Sequence, residues 1–157
     1  MRVGIGYDIH QLQKKRDLII GGTKIPFEKG LMGHSDADVL FHAIADALLG
    51  AANLGDIGKH FPDTDNKFKN LDSGKILQKV NQLLHDRNFI IGNLDATIIA
   101  EAPKMKPHLS KMIKKISQIL EISEDQISIK ATTNEKIGGI GRGEGIAAMA
   151  IALIQSK

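Results

Sequence analysis

An aspartate and a histidine stand two residues apart in Asp8-Ile9-His10, near the start of the 157-residue chain. In extended backbone, residues i and i+2 point to the same face, so this pair can present a carboxylate and an imidazole side by side. A second imidazole, His42, sits in the stretch Gly33-His34-Ser35-Asp36-Ala37-Asp38-Val39-Leu40-Phe41-His42-Ala43-Ile44-Ala45-Asp46. Two imidazoles and one carboxylate leave a tetrahedral zinc with one open position, which is the donor set of a catalytic rather than a structural site. Neutral imidazole is the ligand, so such a site weakens in acid. A D-x-H pair is also a common surface coincidence, and spacing alone does not bring the three side chains together.

Two polar loops add to this set. The run from Asp56 to Asp65, Asp-Ile-Gly-Lys-His-Phe-Pro-Asp-Thr-Asp, reads either as a solvated loop with Asx-turns or as a substrate loop on a rigid scaffold. Its D-x-D lacks the EF-hand pattern. Thr132-Thr133-Asn134-Glu135-Lys136 groups hydroxyls, an acid and a base ahead of Gly138-Gly139-Ile140-Gly141-Arg142-Gly143-Glu144-Gly145. Five glycines among those eight residues allow close approach to a phosphate or simply make a flexible turn. The spacing is not that of a Walker A loop, and no G-x-S-x-G elbow is present. The chemistry this supports is metal-assisted work on a phosphate or polar ester.

Elements able to position these groups follow from periodicity. Residues 2–9 read as a strand with glycines at 4 and 6. Residues 17–20 and 23–27 read as a hairpin around Gly21-Gly22. A helix opens at Ser35, with Ser35 and Asp38 in capping-box register. Its apolar stripe is Val39, Leu40, Ala43, Ile44, Ala47 and Leu48, and its polar edge is Ser35, Asp38, His42 and Asp46. The alternative for that edge is plain contact with water. The helix should end near Asn53-Leu54-Gly55, with Gly55 as C-cap. A second helix spans 72–88, capped by Asp72. A strand at 89–100, a helix with Pro107 in its first turn, and a strand at 126–133 form a βαβ unit. The last strand, 146–154, is apolar almost throughout, which predicts burial of both faces, one of them against another subunit. This is an α+β fold in a single domain over 1–157: a mixed four-stranded sheet with helices packed on one face, plus a small β-hairpin.

Composition excludes several classes. The chain carries 21 Lys+Arg against 18 Asp+Glu, without a dense basic run, and has one Tyr and no Trp. That gives neither an electrostatic footprint nor a stacking platform for nucleic acid. With no cysteine, disulfides and thiolate sites are absent. No apolar run is long enough to span a bilayer. The first residues lack a signal-peptide core, so the expected location is cytoplasmic, or an organelle after loss of a transit peptide.

Taken in order, the landmarks resemble the 2-C-methyl-D-erythritol 2,4-cyclodiphosphate synthases of the non-mevalonate isoprenoid pathway. They are Gly6-Tyr7-Asp8-Ile9-His10, His34-Ser35-Asp36-Ala37-Asp38-Val39 with His42, Leu54-Gly55-Asp56-Ile57-Gly58, Phe61-Pro62-Asp63-Thr64-Asp65, Ala102-Pro103-Lys104-Met105, Ala131 to Lys136, and Gly141-Arg142-Gly143-Glu144-Gly145. The resemblance runs over nearly the whole chain. It implies a lyase that closes 4-diphosphocytidyl-2-C-methyl-D-erythritol 2-phosphate into the cyclic 2,4-diphosphate and releases CMP. It further implies homotrimers with active sites between subunits, and helices beside a mixed sheet. Under it, Asp8, His10 and His42 are zinc ligands that also meet substrate, and His34 and Thr133 stabilise the transition state. Ser35, Asp56, Ile57, Gly58, Phe61, Pro62, Asp63, Thr64 and Asp65 contact methylerythritol and phosphate. Ala100, Ala102, Pro103, Lys104, Met105 and Lys106, with Thr132, Thr133, Asn134 and Glu135, line the cytidine diphosphate pocket. Glu135 helps hold a magnesium or manganese ion, and Asp46 resembles a substrate-side acid. Arg142 is also among the substrate-binding residues, and Arg142 and Glu144 match residues near the threefold axis. The chain departs from the pattern at Ile5, where His is common, at Gly139, where an aromatic is common, at Met149, and at Asn134 in place of Thr.

Overall fold

The computed structural model describes residues 1–33, 35–62 and 71–157. Four of the described strands form the core of a sheet, in the order β1 (Arg2–Lys14), β7 (Gly145–Ser156), β5 (Phe89–Ile99), β6 (Ile127–Thr132). All neighbours are antiparallel except β5 and β6, which run parallel across helix α4 (Leu109–Leu120), as the βαβ reading requires. The sheet has a fifth strand beyond the four expected. β1 continues past residue 9 to Lys14, and its extension pairs with β4 (Lys29–Leu31), placing Leu12 opposite Leu31. Three residues are too few to show an alternation, so this strand exists only through its partner. The hairpin is present as β2 (Leu18–Ile20) and β3 (Thr23–Ile25), with both turn glycines at positive φ.

Helix α1 (Val39–Ala51) lies against β1 and β7, and α3 (Ser73–Asp86) packs beside it. Most of α1 is buried, including Val39, Leu40, Ala43, Ile44, Ala47 and Leu48, so this is a central helix and not a surface one. It starts later than the capping-box reading placed it. Ser35 accepts from Ala37 N–H in a local turn, and Asp38 is the N-cap, accepting from Phe41 N–H at 3.1 Å. The C-terminus also differs. Asn53 takes the left-handed conformation at φ 57, with Asn53 N–H on Gly50 C=O and Leu54 N–H on Leu49 C=O. That is a Schellman closure with asparagine, two residues ahead of the expected Gly55. Asp72 caps α3 through Gly74 N–H, as expected. Pro107 lies in a 3-10 turn, Lys106–His108, that precedes α4 and is not part of it.

The helices cover one face of the sheet. On the other face Val3, Ile5, Tyr7, Ile9, Met149 and Ile151 are exposed. Within one chain, β7 is buried on the helix-covered face, while Met149 and Ile151 on the other face are exposed.

Candidate functional site

The even-numbered residues of β1 face α1. A Cβ built on Gly4 would lie 2.0 Å from the Ala47 carbonyl oxygen, and one on Gly6 would lie 1.9 Å from that of Ala43. Only glycine lets helix backbone come this close to strand backbone. The row continues with Asp8 and His10, just beyond the first turn of α1, where His42 hangs. Close approach at 4 and 6 thus delivers the helix imidazole onto the strand pair. Asp8 Oδ2 lies 2.8 Å from His10 Nε2 and 3.0 Å from His42 Nδ1, and the two nitrogens are 3.2 Å apart.

These three ligand atoms form a nearly equilateral triangle. Donors about 2.0–2.1 Å from a tetrahedral zinc stand roughly 3.3 Å from one another, so the set fits such an ion with slight expansion. The three side chains are half-buried and open onto one cavity. Burial opposes ionisation of Asp8, but hydrogen bonds and positive charge from His10 and His42 prevail, holding its carboxyl well below the usual range. Burial also opposes a charged His42, yet the hydrogen bond and charge of Asp8 raise its pKa above the ordinary 6.5.

The cavity, about 410 Å³, is lined by Asp8, His10 and His42 with Ser35, Asp46, Ile57, Gly58 and Phe61. Gly33, Leu71 and Ile76 complete the wall, and none of these three was expected from the sequence. Asp46 accepts from Ile57 N–H at 2.8 Å, fixing the start of the short helix α2 (Ile57–His60) beside the triad. Burial, with the charges of Asp56 and Asp8, raises the Asp46 carboxyl. Asp56 caps α2 through Lys59 N–H and is exposed outside the lining. Pro62 follows Phe61 at the described end of this loop. His34, Asp63, Thr64 and Asp65 lie outside the described residues.

Asp38 belongs to the scaffold. It is fully buried and accepts three backbone N–H groups, from Gly21 at 2.9 Å, Gly22 at 2.7 Å and Phe41 at 3.1 Å. It ties the hairpin turn to the mouth of α1, and burial pushes its carboxyl up to about 6 despite those bonds.

A contact that spacing did not reveal lies behind the triad. Ser73 Oγ is 3.0 Å from His42 Nε2, and the same hydroxyl donates to Asp36 Oδ1. Asp36 Oδ2 also accepts Ser73 N–H at 3.2 Å. Asp36 and Ser73 come from different segments, so no local pattern links them.

The remaining expected residues form a separate cluster at the ends of β5 and β6. Ala100 N–H bonds Thr132 C=O, and the Glu101 carboxylate accepts from Asn134 and Lys136 N–H. Thr133 Oγ1 accepts Glu135 N–H at 3.2 Å, and Asn134 Nδ2 donates to Ile137 C=O. Ala102, Lys104, Lys106, Thr132, Thr133 and Glu135 are exposed and Pro103 is half-exposed, while the side chains of Ala100 and Met105 are buried. Register puts Asp8, Ala148, Ile98 and Ala131 in one row across the sheet, so triad and cluster share a sheet end. Three strand spacings separate them, roughly 14 Å. Arg142 lies elsewhere, exposed and paired with Glu144 at 2.7 Å.

The YgbB family model matches residues 1–155. The chain belongs to that family. A relative from Clostridium perfringens, a 2-C-methyl-D-erythritol 2,4-cyclodiphosphate synthase, is 60% identical over 154 residues, covering 98% of this chain and 99% of its own. Among solved structures, the bifunctional IspDF from Campylobacter jejuni superposes with a TM-score of 0.96 at 40% identity. That match covers 99% of this chain but only 42% of the bifunctional protein. IspF from Plasmodium falciparum, in a CDP complex, matches with a TM-score of 0.88 at 38% identity, covering 99% of this chain and 96% of its own.

Proposed function

We propose that this chain is a 2-C-methyl-D-erythritol 2,4-cyclodiphosphate synthase, acting as a single domain over 1–157 in non-mevalonate isoprenoid synthesis. The observation that carries the reading is the Asp8–His10–His42 triangle opening onto a cavity, in a chain of this family. The substrate is 4-diphosphocytidyl-2-C-methyl-D-erythritol 2-phosphate. An oxygen of its 2-phosphate attacks the β-phosphorus. The new P–O bond closes the ring, the bond from that phosphorus to the CMP oxygen breaks, and CMP leaves. No enzyme nucleophile enters, in keeping with a site of ligands and hydrogen-bond donors whose task is positioning.

Asp8, His10 and His42 would hold zinc. Bound there, the ion supplies positive charge that polarises a phosphate oxygen. Ser35, Asp56, Ile57, Gly58, Phe61, Pro62, Asp63, Thr64 and Asp65 are assigned to the methylerythritol portion and phosphate, a reading supported by Ser35, Ile57, Gly58 and Phe61 lining the cavity beside the triad. His34 and Thr133 are assigned to stabilising charge at the reacting phosphorus. The exposed Glu135 carboxylate would offer a magnesium or manganese ion a hard oxygen donor, and the ion would supply charge that favours departure of CMP. Ala100 to Lys106 and Thr132 to Glu135 are assigned to the cytidine diphosphate.

The wide separation of triad and loop cluster favours sites shared between subunits of a homotrimer. The exposed apolar face of β1 and β7 supports this, because an apolar patch of that kind marks an interaction surface. No helix among the described residues is long and apolar enough to cross a membrane, in keeping with a cytoplasmic enzyme. The test is CMP release from the natural substrate, followed by chromatography with and without a chelator. The proposal expects release only with divalent metal. No release at saturating zinc and magnesium overturns it.

A further inference from the structure

Behind the triad, one hydrogen-bond chain fixes which His42 nitrogen keeps its proton. An ionised carboxylate only accepts. Asp36 takes two donors from one residue, the backbone N–H and the hydroxyl of Ser73. A serine hydroxyl carries one proton, and here it is committed to Asp36. The oxygen therefore faces His42 with lone pairs only. For the 3.0 Å contact to be a hydrogen bond, His42 Nε2 must carry the proton and donate it. Nδ1 faces the Asp8 carboxylate at 3.0 Å and donates to it when His42 is protonated; a neutral imidazole keeps one N–H, so with Nε2 committed to Ser73 the proton that leaves is the one on Nδ1. Nδ1 is the atom aimed at Asp8 and His10.

We infer that Asp36 and Ser73 form a positioning relay that locks His42 in its Nε2–H tautomer and aims a bare Nδ1 into the metal triangle. The inference rests on the metal reading of the triad. Burial makes the lock rigid, since Ser73 is fully enclosed and held through both its N–H and its hydroxyl. The relay also spans the molecule's architecture. Asp36 lies on the approach to α1 and Ser73 is the first residue of α3, so the placement of α3 decides which histidine nitrogen can bind metal. Neither residue lines the cavity. They act through His42, as second partners of metal-bound histidines commonly do.

Ser73→Ala isolates the relay. It removes the hydroxyl but keeps the backbone N–H that tethers α3 to Asp36. Two measurements on metal-stripped full-length protein decide the matter. First, two-bond ¹⁵N–¹H correlations of the wild-type His42 ring, at a pH where it is neutral, should show the Nε2–H tautomer alone. A dominant Nδ1–H tautomer, or a mixture, overturns the relay without any variant. Second, zinc affinity by competition with a chromophoric chelator should fall about 10–100-fold in Ser73→Ala, the usual cost of losing such a partner. Affinity within twofold of wild type overturns the proposal. Wild type that binds no zinc removes the metal reading itself, so the two failures are distinguishable.

Discussion

Replacing Asp38 by alanine tests whether this acid on the polar edge of α1 is scaffold or chemistry. The substitution strips the acceptor from three enclosed N–H groups, those of Gly21, Gly22 and Phe41. A buried donor left without a partner costs ~1–3 kcal/mol, so the gross loss is about 6 kcal/mol. Removing the carboxylate also relieves a cost. Its pKa is raised from 3.8 to about 6, chiefly by burial. That rise remains after the three hydrogen bonds have favoured the charge, so ionising Asp38 costs more in the fold than in the unfolded chain. The net loss expected at pH 7 lies below the gross figure, at about 3 kcal/mol, because burial of the charge is relieved along with the bonds. Linkage fixes how it changes with acidity. A group whose folded pKa is raised gives stability that is complete below pH 3.8 and lost as pH rises through about 6. Wild type gains that contribution on acidification and alanine does not, so the gap between them widens from pH 7 to pH 4.5. Urea denaturation of the metal-free protein at those two pH values measures both. A variant within ~0.5 kcal/mol of wild type, or a gap that narrows in acid, refutes the reasoning.

Other substitutions test the rest of the framework. Gly6→Ala sets a Cβ 1.9 Å from the Ala43 carbonyl oxygen, so α1 must lift off β1. We expect about 2–3 kcal/mol of destabilisation by chemical denaturation and a clear loss of zinc affinity, because His42 rides on that helix. Gly50→Ala is the contrasting case. Outside its own helix, the nearest atom to a Cβ at this exposed position is the Ile5 carbonyl oxygen at 3.9 Å, and a gain of up to ~1 kcal/mol should appear as a raised midpoint. Zinc binding should weaken on acidification. The His42 pKa is raised above 6.5, so proton competition starts above that value. Titration with a zinc-sensitive dye between pH 8 and pH 6 measures this, and flat affinity over that range contradicts it.

Part of this molecule was readable from residue types alone. The D-x-H pair on alternating backbone and the helix bearing His42 singled out three candidate ligands, and the fold brings their ligand atoms to 2.8–3.2 Å of one another. The apolar stripes of α3 and α4, with Ile76, Leu77, Val80, Met112 and Ile116, are core as periodicity required. What was not readable depends on long-range geometry. Glycines 4 and 6 were visible, but their purpose emerges only with α1 lying on them. Asp38 looked like a partner for Ser35 because capping-box spacing is local. Its real partners, Gly21 and Gly22, belong to a hairpin far back in the chain. The Ser73 contact to His42 spans 31 positions and matches no spacing rule. β4 is recognisable only once β1 has been seen to run on to Lys14.

The central claim is that the triad holds the metal on which ring closure depends. Phosphorus NMR of the full reaction tests it directly, with wild type and Asp8→Ala compared at equal zinc and magnesium. The account predicts that wild type converts substrate to a cyclic diphosphate with stoichiometric CMP, and that Asp8→Ala binds little zinc and forms neither product. An Asp8→Ala protein that cyclises substrate at the wild-type rate contradicts it, as does a wild type that yields only inorganic phosphate and an open-chain product.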